Sequence, residues 1–386
     1  MEKLIKNVTL NGERSDIVIE DGKIKEVTTD KVDSSSDVYD AKGLLYLPTL
    51  NDMHCHLDKH LVGEKWRSLQ PFITLPGQLT FEKSLLETME NSVQKRVKIM
   101  AELMLQHGTT KIRTHVDVDP GLGLKHLEAV TLLREEMRGK MEIEIVAFPQ
   151  QGLLLSDSVA VMKEALRNGA DLVGGVDPGG LEKRLDSSLE AMFDLGAAFD
   201  KGIDLHLHDP GHLGKYTIDR VADLTEQTGK QGKVAVSHAY CLGMLSDDEL
   251  EDTYQALREN DISIISSVPI DRPMPRLQSM INNELSFLVG TDNIQDAWSP
   301  YGDGDLLRRG SRLAEKNGWV TDEQLIAAYS YITSRSLEPV IGEKADFVLV
   351  DAQNIQQAMA IVPRREAVFA GGNLIAEKGE LLDNCR

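Results

Sequence analysis

Three short stretches bring together residue types that bind metals. They are His54-Cys55-His56, then Asp204-Leu205-His206-Leu207-His208-Asp209 with Ser237-His238, then Thr291-Asp292-Asn293. Side chains on a strand alternate between faces, so both imidazoles of an His-x-His pair project to the same side. A third imidazole and a carboxylate from other strand ends would complete a donor set suited to zinc or iron(II). Such an ion lowers the pKa of bound water to about 7 and so supplies hydroxide near neutral pH. The pattern points to a hydrolase.

Within that pattern His54, His56, His206 and Asp292 are the expected metal ligands, with Asp292 also placed to accept the proton of the attacking water. His208 shares the inward face with His206 and reads as a substrate contact. His238 is either a further imidazole ligand or a proton shuttle; the shuttle is the expected role, because an unperturbed imidazole titrates close to neutral pH. Asn293 and Gln150 offer amide donors and acceptors to a planar polar ring. Lys59, five residues past His54, either reaches inward as a cation or stays solvated. The segment 59–78, with Trp66, Phe72 and two prolines, reads as a wall or lid. His115 and Asp117 are expected to steady the ligands from behind. His60, His107, His126 and His212 fall on helix ends or loops and are assigned no role.

Elements that would position these residues are legible as eight apolar runs alternating with helical patterns. The first leads into 54–56; the rest cover 111–118, 142–150, 172–177, 204–209, 234–239, 263–270 and 285–293. The first helical stretch carries Leu86, Met89, Val93, Val97, Met100 and Met104 three or four apart, with Ser84-x-x-Glu87 as a capping box and Gly108 as its stop. Strands alternating with helices predict an α/β fold, a (β/α)8 TIM-like barrel, in which the C-terminal strand ends converge on one mouth. Six of the ten histidines lie on those ends. A doubly wound sheet is the competitor. It fits less well, since no Gly-x-Gly-x-x-Gly follows the first strand and polar residues cap nearly every strand. Both termini are β-rich and turn-punctuated (4–10, 16–27, 38–46, then 345–350, 366–369 and 373–378). They predict a small β-sandwich domain from residues 1–48 and 340–386 around a barrel of residues 49–339.

Composition narrows the partners. A formal net charge of -20 disfavours nucleic-acid phosphate. Apolar residues make up 41% of the 386, enough for a large core. Cys55, Cys241 and Cys385 are too few and too scattered for a disulfide framework. The first residues lack a secretory apolar stretch, and no run approaches the roughly eighteen apolar residues of a membrane span. A cytoplasmic protein with a small-molecule substrate is expected, with no nucleic acid and no membrane, assembled as a homo-oligomer.

The motif set as a whole resembles the amidohydrolase superfamily and, within it, the cytosine deaminase branch. The stretches that carry the resemblance are His54-Cys55-His56-Leu57-Asp58-Lys59, Arg113-Thr114-His115-Val116-Asp117-Val118, Val146-Ala147-Phe148-Pro149-Gln150, Ser237-His238 and Asp292-Asn293-x-x-Asp296-x-Trp298. Gly174-Gly175-Val176-Asp177-Pro178 and His206-Leu207-His208-Asp209 are similar to the motifs of its s-triazine enzymes. The resemblance implies one divalent ion per chain, zinc first and iron(II) or manganese in its place, held by His54, His56, His206 and Asp292. It also implies that Lys59, Gln150, His208, His238, Asn293 and Trp298 line the substrate site. The implied activity is release of ammonia or an alkylamine from a pyrimidine- or s-triazine-like ring. Alternatives are a cyclic amide hydrolase of the same superfamily and a metal-containing binding protein without turnover. Cytosine deaminase carries a Glu three residues after the strand-five His, where this chain has Asp209, and Asn293 stands where it has an Asp. Cytosine is therefore expected to be a poor substrate.

Overall fold

The computed structural model describes residues 2–30, 32 and 37–382; Cys385 lies outside them. Five strands open the chain: β1 (Glu2–Leu10), β2 (Glu13–Glu20), β3 (Lys23–Thr28), β4 (Val38–Asp40) and β5 (Leu45–Pro48). The next eight strands form one parallel sheet in sequence order: β6 (Leu50–Cys55), β7 (Thr109–Asp117), β8 (Glu142–Phe148), β9 (Leu172–Val176), β10 (Gly202–Leu207), β11 (Val234–His238), β12 (Ser263–Ser266) and β13 (Phe287–Val289). Helices follow them on the outside. They are α1 (Leu75–Glu87) and α2 (Val93–Gln106), α3 (Lys125–Glu136), α4 (Val159–Arg167), α5 (Leu185–Ala198), α6 (Gly211–Thr228), α7 (Asp247–Glu259), α8 (Leu277–Asn282), and α9 (Leu306–Lys316). The expected TIM-like barrel is the fold found.

The sheet closes where β6 meets the residues after β13. The Asp292 N–H donates to the His54 carbonyl at 2.7 Å, and Cys55 and Asp292 form a parallel bridge. Buried Asp52 ties the same seam. Its carboxylate accepts from the His54 N–H at 3.1 Å, the Thr291 N–H at 3.0 Å and the Thr291 hydroxyl at 2.5 Å. Gly290 permits this closeness, since a Cβ there would lie 2.5 Å from both the Cβ and the carbonyl oxygen of His54.

The chain ends in α10 (Asp322–Ser330), α11 (Ile355–Ile361) and four more strands, β14 (Phe347–Val350), β15 (Arg365–Ala370), β16 (Asn373–Glu377) and β17 (Glu380–Leu381). These join β1–β5 in a second, mixed sheet built from both termini, in the order β17-β16-β15-β14-β5-β1-β2-β3 with β4 beside β1. Ile5, Ile17 and Ile19 share one core with Phe347, Leu349 and Phe369. Arg365 ties this sheet to the barrel, donating to the His107 carbonyl at 2.9 Å and to buried Asp305, the N-cap of α9.

Some local expectations shift. Ser84 lies inside α1, where its hydroxyl donates to the Phe81 carbonyl, so Ser84 and Glu87 do not form a capping box. The predicted single helix breaks over residues 88–92, because Glu64 accepts the N–H groups of Glu90 and Asn91 and draws the chain aside. Ser92 then caps α2. Gly108, at φ +84°, follows the end of α2 as expected. The segment predicted as strand to 270 ends at Ser266, since Val268 takes φ +51° and Pro269 follows. Among the described residues no helix is long and apolar enough to cross a membrane.

Because the Gly290 position faces backbone that cannot swing away, Gly290→Ala should lower the unfolding free energy by about 1–3 kcal/mol. A chemical-denaturation midpoint equal to that of the unsubstituted protein would contradict the packing of the seam.

Candidate metal centre and substrate pocket

Inward-facing positions on the barrel strands carry the site. At the end of β6, His54 and, just past the strand, His56 both face inward; on β7, Arg113, His115 and Asp117 alternate on the same face; β10 contributes Asp204 and His206, with His208 just past its end. Parallel register sets His206 opposite Ser237 and Leu207 opposite His238. Asp177, His238 and Asp292, at three strand ends, adopt left-handed φ values of +36°, +71° and +57°. Each such residue costs roughly 1–3 kcal/mol, and that strain clusters at sites where side chains must be aimed.

Asp292 collects the imidazoles. Its Oδ1 lies 3.4 Å from His56 Nε2 and 3.6 Å from His54 Nε2, and its Oδ2 lies 4.0 Å from His238 Nδ1. His206 packs into the same group, its ring centroid 4.6 Å from that of His54 and 5.5 Å from that of His56. Two overlapping sets, His54–His115–His206 and His54–His238–Asp292, have ligand atoms close enough to share an ion. His115 is fully buried in this cluster, nearer the centre than its expected supporting position.

Burial, followed by the neighbouring imidazoles, holds His54, His115 and His206 well below the usual histidine pKa, so each is neutral, the form that ligates metals. Burial works against ionising Asp292, yet His56, His238 and His54 keep its carboxyl well below the ordinary range. Burial also lowers His238 to about 3. His208 behaves differently. Burial opposes its charge, but Asp177, 2.9 Å from Nδ1, raises its pKa and favours the protonated form.

Several of these nitrogens have no hydrogen-bond partner among the described residues: His54 Nε2 and both ring nitrogens of His115, His206 and His238. Buried polar atoms left unpaired are costly, and their convergence beside a carboxylate fits a cation-binding role. The donor set of imidazole and carboxylate suits a divalent ion such as zinc, iron(II) or manganese.

A relay fixes the orientation of His54. Asp204 Oδ1 accepts from the Ser237 hydroxyl at 2.7 Å, and Ser237 Oγ in turn accepts from His54 Nδ1 at 2.8 Å, leaving His54 Nε2 with a free lone pair. Arg113, 2.8 Å from Asp204 Oδ2, holds that carboxylate from below. His56 Nδ1 donates to the His115 carbonyl at 3.2 Å, turning its Nε2 toward Asp292 as well. Sequence reading did not assign Ser237, Asp204 or Arg113 a role. The signal was present, because Asp204 stands two residues before His206 on the same strand face.

The other predicted residues lie around the same cluster, bonded to one another. Lys59 is 2% exposed and reaches inward, its ammonium 2.9 Å from Asp117 Oδ1 and bonded to the Gln150 carbonyl oxygen. Asn293 donates to Asp296 at 2.6 Å, and Asp296 also accepts the Trp298 N–H at 2.8 Å, so one carboxylate holds both residues. Trp298 Nε1 donates at 2.9 Å to Glu82 on α1, a buried residue that no motif marked. The wall expected over 59–78 is extended only to residue 74 and then becomes α1. Trp66 and Phe72 in its outer part are exposed. Asp209 accepts from the Gly180 N–H at 3.0 Å, turned toward the β9–α5 loop. His60 and His126 are buried structural partners, bonded to the Arg96 carbonyl and to Asp58.

Comparison with known proteins bears on what this geometry does. A sequence model described as the amidohydrolase family matches residues 73–375. The chain is 34% identical over 376 residues to the uncharacterized protein YahJ of Escherichia coli (strain K12), covering 94% of this chain and 82% of that one. It is 29% identical over 393 residues to the N-isopropylammelide isopropyl amidohydrolase of Pseudomonas sp. (strain ADP), covering 97% of each. Its fold superposes on the crystal structure of N-isopropylammelide isopropylaminohydrolase from Burkholderia multivorans ATCC 17616 with a TM-score of 0.93 and 32% identity, over 99% of this chain and 100% of that one.

If Ser237 orients His54 as the geometry indicates, Ser237→Ala should weaken metal binding about 10- to 100-fold. Competition with a chelator of known affinity measures this; an unchanged affinity would remove Ser237 from the account.

Proposed function

The chain belongs to the amidohydrolase family and hydrolyses carbon–nitrogen bonds other than peptide bonds; on that premise we propose that it is a mononuclear metal aminohydrolase that releases ammonia or an alkylamine from an s-triazine- or pyrimidine-like ring. The unpartnered, buried imidazole nitrogens beside Asp292 are the observation that carries this reading. In it His54, His56, His206 and Asp292 hold one divalent ion, zinc in first place. The small sheet of residues 1–48 and 340–386 is an appendage to a catalytic barrel of residues 49–339, and the assembly is a homo-oligomer in the cytoplasm.

When bound, the ion supplies Lewis acidity that makes water nucleophilic near neutral pH. Asp292 accepts the water's proton, and His238, within 4.0 Å of Asp292, passes it to the departing amine. Burial keeps His238 neutral, the form able to take up that proton. Lys59 and protonated His208 donate to ring oxygens. Gln150 and Asn293 read the ring edge through amide hydrogen bonds, and Trp298 supplies a flat apolar face. Asp209, turned to the Gly180 N–H, is not free to serve a ring nitrogen as the Glu of cytosine deaminase does. His208 occupies that side of the pocket with a donor, which favours rings rich in carbonyl groups such as N-isopropylammelide, the compound named for two relatives.

Elemental analysis should find close to one metal per chain. His206→Ala should lose most of it, while His238→Asn should keep it and lose turnover by about 10²-fold or more. Two metals per chain, or a His238→Asn protein without metal, would overturn these roles.

An amine-release assay across a panel of rings tests the substrate class. N-isopropylammelide and related dioxo-triazines should release amine well, and cytosine should react weakly. Cytosine turnover with kcat/KM above roughly 10⁵ M⁻¹s⁻¹, within the ordinary enzyme range, would contradict the choice of ring.

A further inference from the structure

Three residues read above as substrate contacts converge on a fourth that carries no motif. Lys59 donates to the carbonyl oxygen of Gln150, whose amide nitrogen donates to Glu82 Oε2. Trp298 Nε1 donates to Glu82 Oε1 at 2.9 Å, and the Lys59 ammonium lies 3.9 Å from that same oxygen. Glu82 is 2% exposed. Its helix is fixed over the barrel mouth: Gln78 donates to the Ala297 carbonyl at 2.6 Å, and Leu79 packs with Phe148, Val176 and Leu181.

We propose that Glu82 is a positioning and specificity-determining residue, a single carboxyl on α1 that joins Lys59, Gln150 and Trp298 into one wall and selects rings rich in carbonyl oxygen. The proposal rests on the reading of those three residues as substrate contacts.

The charge balance explains the selection. Facing Glu82 are Lys59 from the loop after β6, Asp117 from β7 and Asp296 from the loop after β13, with uncharged Gln150 and Trp298 between them. One ammonium cannot neutralise three buried carboxyls. Asp117 is the closer partner of Lys59, at 2.9 Å against 3.9 Å. Glu82, pushed up to about 8 chiefly by burial, is therefore the carboxyl that keeps its proton at neutral pH. A protonated carboxyl still has lone pairs for the Gln150 and Trp298 donors and gains one O–H to give. The wall then presents donors from Lys59 and Glu82, which suits ring carbonyls. Loss of the proton above pH 8 replaces a donor with a negative charge that repels those oxygens.

The test uses full-length, zinc-loaded protein labelled with ¹⁵N, in which Trp298→Phe assigns the Trp298 indole signal among the three tryptophans. That signal should shift with pH at a midpoint near 8 and lose this titration in Glu82→Gln. With N-isopropylammelide, KM should rise in the wild type above that pH. Glu82→Gln keeps a neutral donor, so its KM should stay near the wild-type value at neutral pH and no longer rise with pH. Glu82→Leu removes the donor, and its KM at neutral pH should be about tenfold higher, the scale of one strong hydrogen bond lost, with a smaller change in kcat. Zinc content equal to wild type confirms that each variant is folded. An indole signal that does not titrate in wild type, or a Glu82→Leu protein with wild-type zinc content and unchanged KM, overturns the proposal. If the wild type does not process N-isopropylammelide, the substrate reading fails, and the indole titration alone decides the role of Glu82.

Discussion

Everything at the barrel mouth depends on the seam where the first strand meets the last. The Asp292 N–H bonds to the His54 carbonyl, and Asp52 grips the backbone of both His54 and Thr291. The carboxylate proposed to hold an ion is thereby set beside two of the imidazoles proposed to share it. Burial pushes Asp52 up to about 6, and the bonds from Thr291 and His54 work against that rise. The tie therefore brings a desolvation cost that only good hydrogen-bond geometry offsets. Gly290 is part of the same device, since any side chain there would force the two strands apart.

From the seam outward, the site is built in two layers with different electrostatics. The inner layer is a group of buried imidazoles around an ionised Asp292, in which His54 is held from behind by Ser237, Asp204 and Arg113 and His56 by a backbone carbonyl. The outer layer is charged and polar: Lys59 with Asp117 and Glu82, His208 with Asp177, and Asn293 with Asp296. Burying so many ionisable groups is costly unless each is paired. Here the outer groups pair with one another, whereas most of the inner imidazole nitrogens find no partner among the described residues, which is the distinction expected between a wall and an ion-binding centre. The wall is completed by α1, so specificity and closure of the pocket reside in the same element.

Much of this was legible in the sequence, for definable reasons. Strand ends were visible because apolar runs stop abruptly at polar residues, and the period-two alternation of His54 with His56 and of His206 with His208 marks their inward face. The barrel followed from the strand–helix rhythm. What the sequence hid were the partners supplied by other elements. Glu82 sits among Phe81, Lys83 and Ser84 and looks like any solvated helix residue, until α1 turns out to cross the mouth. Asp209 looked like a shortened proton carrier, but its direction is set by Gly180, 29 residues back in another loop. The capping box at Ser84 failed because α1 already begins at Leu75 under a Thr74 cap, and the predicted single helix broke later, where a distant residue, Glu64, takes the N–H groups of Glu90 and Asn91.

The ion proposed for the barrel mouth would be held by imidazole and carboxylate alone, although Cys55 lies between two of the proposed ligands. Its buried thiol points instead to the Arg113 carbonyl, 3.5 Å away. X-ray absorption spectroscopy of the zinc-loaded protein tests this most directly. The account predicts a single shell of nitrogen and oxygen neighbours at about 2.0–2.2 Å. A sulfur neighbour at about 2.3 Å, or a second metal at about 3.5–4 Å, would contradict it.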